Sequence, residues 1–182
     1  MLNKSSSLFA ALVLGGAACG IKTNQIVIGQ KTTLEKQLMG EAEPLSEEQM
    51  LVASVRSRGG GVHAGSADDL QSRAIAARRR QLYNRDDIGD LKVAGCLGEA
   101  RGAILTIRPC DAPSEDLILL RKTLIDQENA DRRAIIDWAI GIDPVLTVAD
   151  RPQIVELYHR LILERAHPGD WYEGTDGTWA KK

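Results

Sequence analysis

The chain has 182 residues, 43% of them hydrophobic, and a formal net charge of −2. That length suits one ordinary domain with appendages, and a charge so near balance excludes the strongly basic face that a nucleic-acid partner requires. Aromatic residues make up only 4% of the chain, so the apolar content is mainly aliphatic, and a mostly α protein is predicted.

The chain opens "MLNKSSSLFAALVLGGAAC", with Lys4, an apolar run from Leu8 to Leu14 and small residues from Gly15 to Ala18. A cationic head, an apolar centre and a small-residue exit read as a secretory signal peptide over residues 1–18. Gly16, Ala17 and Ala18 directly before Cys19 resemble the lipobox of bacterial lipoproteins, with Gly16 where an aliphatic residue is usual. The resemblance implies that Cys19 is acylated and begins the mature chain; plain signal cleavage with an incidental cysteine is the alternative. Gly20 rather than Asp at the next position implies, by the sorting logic of such lipoproteins, the periplasmic face of the outer membrane. Residues 19–31 then form a lipidated tether, anchored at about 0.8 kcal/mol per buried methylene.

Three cysteines are an odd number for an exported protein. With Cys19 acylated, Cys96 and Cys110 remain as a pair that an oxidising compartment can bridge, closing a loop of about fifteen residues worth roughly 3 kcal/mol. Metal binding by the same pair with His159 or His167 lacks close ligand spacing, so neither a metal nor a cofactor is expected.

Residues 32–89 read as a helical N-terminal extension. "TTLEKQLMG" is a short helix capped by Thr32 or Thr33 and stopped by Gly40. Ser46 with Gln49 starts a second. A flexible linker near 57–66 holds three consecutive glycines and lacks the Lys-Ser or Lys-Thr of a phosphate-binding loop. Ser66 restarts helix to about Tyr83. The run Arg78-Arg79-Arg80 reads as a solvated face offset by Asp68, Asp69, Asp86 and Asp87, with a headgroup-binding patch as the alternative.

The segment from Asp86 to Asp111 is glycine-rich, with one strand predicted at Ala103 to Ile107. A long helix follows from Pro113 or Ser114 to about Ile140, with a bend or break near "QENAD", and another starts at Pro152. The tail "DWYEGTDGTWAKK" predicts a two-residue hairpin turn at Asp176-Gly177. That register pairs Gly174 with Trp179 and places Trp179 on the face of Tyr172, with Trp171 opposite. The rings either fix the terminus to the helices or present an aromatic face to a partner, lipid or glycan. The expected architecture is thus a helical bundle-like domain with a small C-terminal β-hairpin, mostly α in an α+β arrangement.

Three segments carry a family resemblance: "AGCLGEARGAIL", "ENADRRAII" and "RAHPGDWYEGTDGTWAKK". Their order resembles the YdbL-like family of bacterial envelope proteins, a domain of unknown function, over residues 90–182. Matching positions are Gly98, Glu99 and Gly102; Asn129, Arg132 and Arg133; then Ala166, Pro168, Gly169, Gly177, Trp179 and a terminal lysine. The chain departs from the small soluble members in its lipid anchor, its 20–88 extension, its cysteine pair and Ile136 in place of Tyr. The resemblance implies a non-enzymatic accessory or assembly factor in envelope lipid homeostasis or transport. Its implied partners are an AsmA-like bridge protein and a small outer-membrane lipoprotein. Candidate binding residues are Gly98, Glu99, Gly102, Trp171, Tyr172 and Trp179. A peptidoglycan- or glycan-binding structural lipoprotein is the alternative. A cell-wall hydrolase using Glu99, Asp170 and Glu173, or Cys96 with His159, carries less weight because nothing places two such groups across a cleft.

Overall fold

Thr32 caps helix α1, Thr33–Leu38, by a reciprocal exchange. Its hydroxyl accepts from the Glu35 amide at 3.3 Å, and the Glu35 carboxylate accepts from the Thr32 amide at 2.6 Å. Gly40, at φ +66°, ends the turn that follows. The computed structural model describes residues 32–47, 66–110 and 115–182, all within one compact unit. The leader, Cys19 and its tether, most of the helix expected from Ser46, the glycine linker up to residue 65 and the Pro113–Ser114 helix start lie outside the described residues.

Helix α2 is Ser66–Tyr83, with the expected bounds, and helix α3 is Arg85–Val93, one residue further on. The expected 89–90 boundary between extension and C-terminal segment falls inside α3. Sequence reading assigned that stretch no element, since Gly89 and three aspartates weaken its helical pattern. The helix forms because Ile88 is buried and Leu91 packs beside it on Leu97, Leu105 and Ile125, a satellite core under the sheet.

Strand β1, Leu97–Ala100, turns through Gly102 (φ +77°) and Ala103 (φ +58°) into β2, Ile104–Ile107. Helix α4, Glu115–Ile142, runs unbroken through "QENAD", where a bend or break was expected. Its side chains there are engaged laterally: Gln127 accepts from Asn84 at 3.1 Å, and Asn129 reaches strand β2. A 3-10 turn, Val148–Asp150, leads into helix α5, Arg151–Arg165, with Pro152 in its first turn. Helix α2 lies along α4, and the small buried residues Ala74 and Ala77 belong to the core around Trp138, Ile135, Ala139 and Tyr158. No helix among the described residues is long and apolar enough to cross a membrane.

Successive helical residues point about 100° apart, so the three arginines of α2 do not share a solvated face. Arg80 pairs with the buried Asp131 of α4, its Nε donating at 3.0 Å, rather than with the neighbouring aspartates. Arg78 turns toward a cleft described below.

Strands β3, Trp171–Glu173, and β4, Trp179–Lys181, form the C-terminal hairpin, which joins the first two strands in one sheet of order β2-β1-β3-β4. Strand β3 runs parallel to β1, with Gly98 opposite Trp171 and Glu99 opposite Tyr172. The class is therefore the mostly α, α+β arrangement expected. The hairpin register differs from the expected one. Glu173, not Gly174, faces Trp179, and Trp171 faces Lys181. Gly177 at φ +79° closes a three-residue loop, in which the Gly177 amide donates to the Gly174 carbonyl at 3.0 Å and the Gly174 amide to the Thr178 carbonyl at 2.7 Å. The one-residue shift moves Trp179 onto the face of Trp171 and leaves Tyr172 on the other.

Candidate functional site

Alternation along β1 divides the candidate residues between the two faces of the sheet. Leu97 and Glu99 point into the protein, toward α4, and are wholly buried. The Glu99 carboxylate accepts two bonds from Arg132, at 2.6 and 3.0 Å, and one from Lys92 of α3 at 2.6 Å. Arg132 also donates from Nε to Glu128 at 2.7 Å and from Nη1 to the Ala103 carbonyl at 3.1 Å; Gln81 adds a bond to Glu128 at 3.1 Å. Two carboxylates and two cations thus balance in a buried group, the condition under which burial of charge is tolerated. Burial opposes ionisation of Glu99, but the charges and hydrogen bonds of Arg132 and Lys92 outweigh it and hold the carboxyl down to about 2. Such a carboxylate is a fixed anion, far from the range in which a general acid or base operates near neutrality.

Asn129 completes this side of the sheet. Its amide accepts from the Leu105 N–H at 2.8 Å and donates to the Leu105 carbonyl at 2.9 Å, pairing the free edge of β2 as a further strand would.

The opposite face carries Gly98, Trp171 and Trp179. A Cβ on Gly98 would meet Trp179, the Arg108 stem and the Trp171 Cβ, so the missing side chain makes room for all three. Arg108 crosses the bare strand, and its guanidinium carbon lies 4.3 Å from each indole centroid, between the two rings. Lys181 Nζ lies 5.2 Å from the Trp171 centroid. The Arg108 amide donates to the Cys96 carbonyl at 2.8 Å, and a disulfide joins Cys96 to Cys110 across the open end of the β1–β2 hairpin.

Of the six candidate residues, then, Gly98, Trp171 and Trp179 come together on the outer face. Glu99 and Tyr172 belong to the inner face, and Gly102 serves the turn. Asp170 accepts from the His167 amide at 3.0 Å, and Glu173 accepts from the Arg101 amide at 3.0 Å, so both are employed in loops. Cys96 is oxidised and has no thiol to offer as a nucleophile. Sequence reading missed Arg108 and Lys92. Arg108 follows β2 by one residue, so alternation from Ile104 and Thr106 would have placed it on the outer face, had the pairing of β1 with β3 been visible. Among the described residues no group of three or more His, Cys, Asp or Glu side chains could hold a metal ion. No protein-family model, curated protein or solved structure matches this chain.

Proposed function

We propose that the protein is a non-catalytic lipoprotein of the YdbL-like kind, anchored by an acylated Cys19 at the periplasmic face of the outer membrane. There it acts as an accessory or assembly factor in envelope lipid homeostasis, beside an AsmA-like bridge protein and a small outer-membrane lipoprotein. The observation that carries the non-catalytic part is the state of Glu99. The wholly buried acid of the Gly98–Gly102 segment is neutralised by Arg132 and Lys92 and serves to hold strand, helix α3 and helix α4 together. The Cys96–Cys110 bridge supports the anchor, because it leaves Cys19 as the single remaining cysteine of three.

A partner surface is supported on the outer face, where Trp171 and Trp179 are half-buried beside the exposed Lys181. Aromatic and arginine side chains are the usual anchors of protein interfaces. The glycan-binding alternative is weaker, because Arg108 already occupies one face of each indole and a sugar needs a free ring face to stack on. The test is a photo-crosslinking residue at Lys181 in cells, combined with mass spectrometry of the mature chain. The reading expects a diacylglycerol on Cys19 and an AsmA-like or lipoprotein partner in the adduct. An unmodified Cys19, or a C19S variant that fractionates with membranes as before, sinks the anchor. Adducts with sacculi alone favour the glycan reading.

A further inference from the structure

A cleft of about 360 Å³ opens between helices α1, α2, α3 and α5, a size within the range of small-molecule sites. One part of its wall is apolar, with Met39, Ile88 and Ile162; another part is charged, with cations in excess of the carboxylates Glu99, Glu128 and Asp170. Five cationic side chains line it, and four are paired with a carboxylate. Lys92 and Arg132 hold Glu99, Arg85 lies 3.4 Å from Glu47, and Arg165 pairs with Glu41.

The fifth is Arg78. Among the described residues its side chain has no hydrogen-bond or ion-pair partner, and its Nε is buried. Burial lowers its pKa by more than the charges of Glu47 and Glu128, neither of them hydrogen-bonded to it, raise it. Its guanidinium nonetheless lies close against the chain at Gly40. Gly40 turns away at φ +66°, and a Cβ there would collide with the Arg78 Nε, so the α1 turn is built around the guanidinium. Arg78, Arg85 and Arg165 also border an adjoining recess of about 530 Å³, which places Arg78 where two openings meet.

A half-buried guanidinium with a buried, unbonded Nε costs stability, and replacing it with an apolar side chain of similar shape ordinarily recovers some. Its placement beside apolar walls in an open cleft has a different logic if a ligand supplies the anion that bonds it. We propose that this cleft binds a small organic oxyanion, a phosphate or carboxylate group on a short apolar body, with Arg78 as the fork that holds the anionic group. The inference stands independently of the envelope role proposed above.

The test is thermal denaturation and calorimetric titration of the full chain with butyl phosphate, butyrate, inorganic phosphate and acetate. At least one butyl probe should raise the Tm saturably, and the corresponding ion without the chain should bind at least tenfold more weakly, since it leaves the apolar wall unfilled. Stronger binding of butyl phosphate than of butyrate identifies the phosphoryl group, and the reverse order the carboxylate. Displacement of the bound probe by phosphatidylglycerol vesicles identifies a lipid headgroup as the source; no displacement identifies a soluble anion. The R78M variant should lose the response while its own Tm stays level or rises. In wild-type protein the same probe should shift an arginine Nε–H resonance, a measurement that does not depend on the variant folding. Absence of any saturable response, or an R78M variant that responds like wild type, overturns the proposal.

Discussion

Gly98 lies directly beneath Trp179: a Cβ built on the glycine would stand 2.5 Å from the ring's Cζ3, 2.8 Å from the Arg108 Cδ and 3.2 Å from the Trp171 Cβ. Trp179, which the sequence pairs with Gly174, instead faces Glu173 and covers a glycine of another strand. A ring rests on a bare strand position, with an arginine stem sharing the space.

The first prediction follows from that crowding. In an ordinary strand, Gly→Ala relieves chain entropy and stabilises by roughly 0.5–1 kcal/mol. Here the added methyl must displace an indole and an arginine, an overpacking cost of about 1–3 kcal/mol. G98A should therefore lower stability in urea and change the near-UV dichroism of the tryptophans. A stabilised G98A with an unchanged spectrum would mean that the sandwich does not form.

The second concerns acid. Glu99 is held at about 2 in the folded chain, against about 4.5 for an ordinary glutamate. The unfolded chain thus binds this proton more tightly than the folded one. The stabilisation is fully present above about pH 4.5 and is lost as pH falls toward 2. E99Q should flatten the fall of stability across that window. It should also cost roughly 3–5 kcal/mol at neutral pH, because Arg132 and Lys92 keep buried charge without their anion. Denaturant titrations at several pH values measure both effects. A wild-type acid slope that persists unchanged in E99Q would assign that slope to other groups.

How much of this was legible depends on where each element draws its stability. Helices α2 and α5 announce themselves locally, through Ser66 at the start of an apolar period and Pro152 in a first turn. Helix α3 does not, because two apolar contacts under the sheet hold it together. Strand β1 reads Leu-Gly-Glu-Ala, with little β propensity; it is a strand because β2, β3 and Arg132 make it one. The hairpin was visible and its register was not, since two- and three-residue loops both accept Asp176-Gly177 and differ in which residue closes them. Glu99 was singled out by resemblance, but its neutralisation joins residues 33 positions apart, a relation that sequence spacing does not carry. Arg78 was read as one of three alike, and only packing separates it from Arg80.

The third prediction tests the clamp on the β1–β2 hairpin. The Cys96–Cys110 bridge spans 14 positions and closes the two strand ends whose next contact is the Arg108–Cys96 backbone bond. Constraint of the unfolded chain over that loop is worth about 3 kcal/mol. The double variant C96S/C110S should lose about that much in denaturant titration, and reducing the wild-type protein should reproduce the loss. If the variant matches oxidised wild type to within about 1 kcal/mol, the bridge contributes little and strand pairing alone holds this end.

The last prediction separates the two bonds made by Asn129. Strand β2 is an edge, and the Leu105 N–H and carbonyl point away from β1 toward helix α4. Leu105 is 1% exposed, so water is poorly placed to replace the amide. N129L keeps the branched outline, in a bulkier side chain, and strands both groups, at about 1–3 kcal/mol for each one left unsatisfied. N129D keeps an acceptor for the N–H but turns the donor that served the carbonyl into a repelling oxygen. Amide exchange at Leu105 should therefore quicken markedly in N129L and far less in N129D, while both variants lose stability. Equal exchange in wild type and N129L would show that the edge is satisfied in some other way, and Asn129 would then be a packing residue.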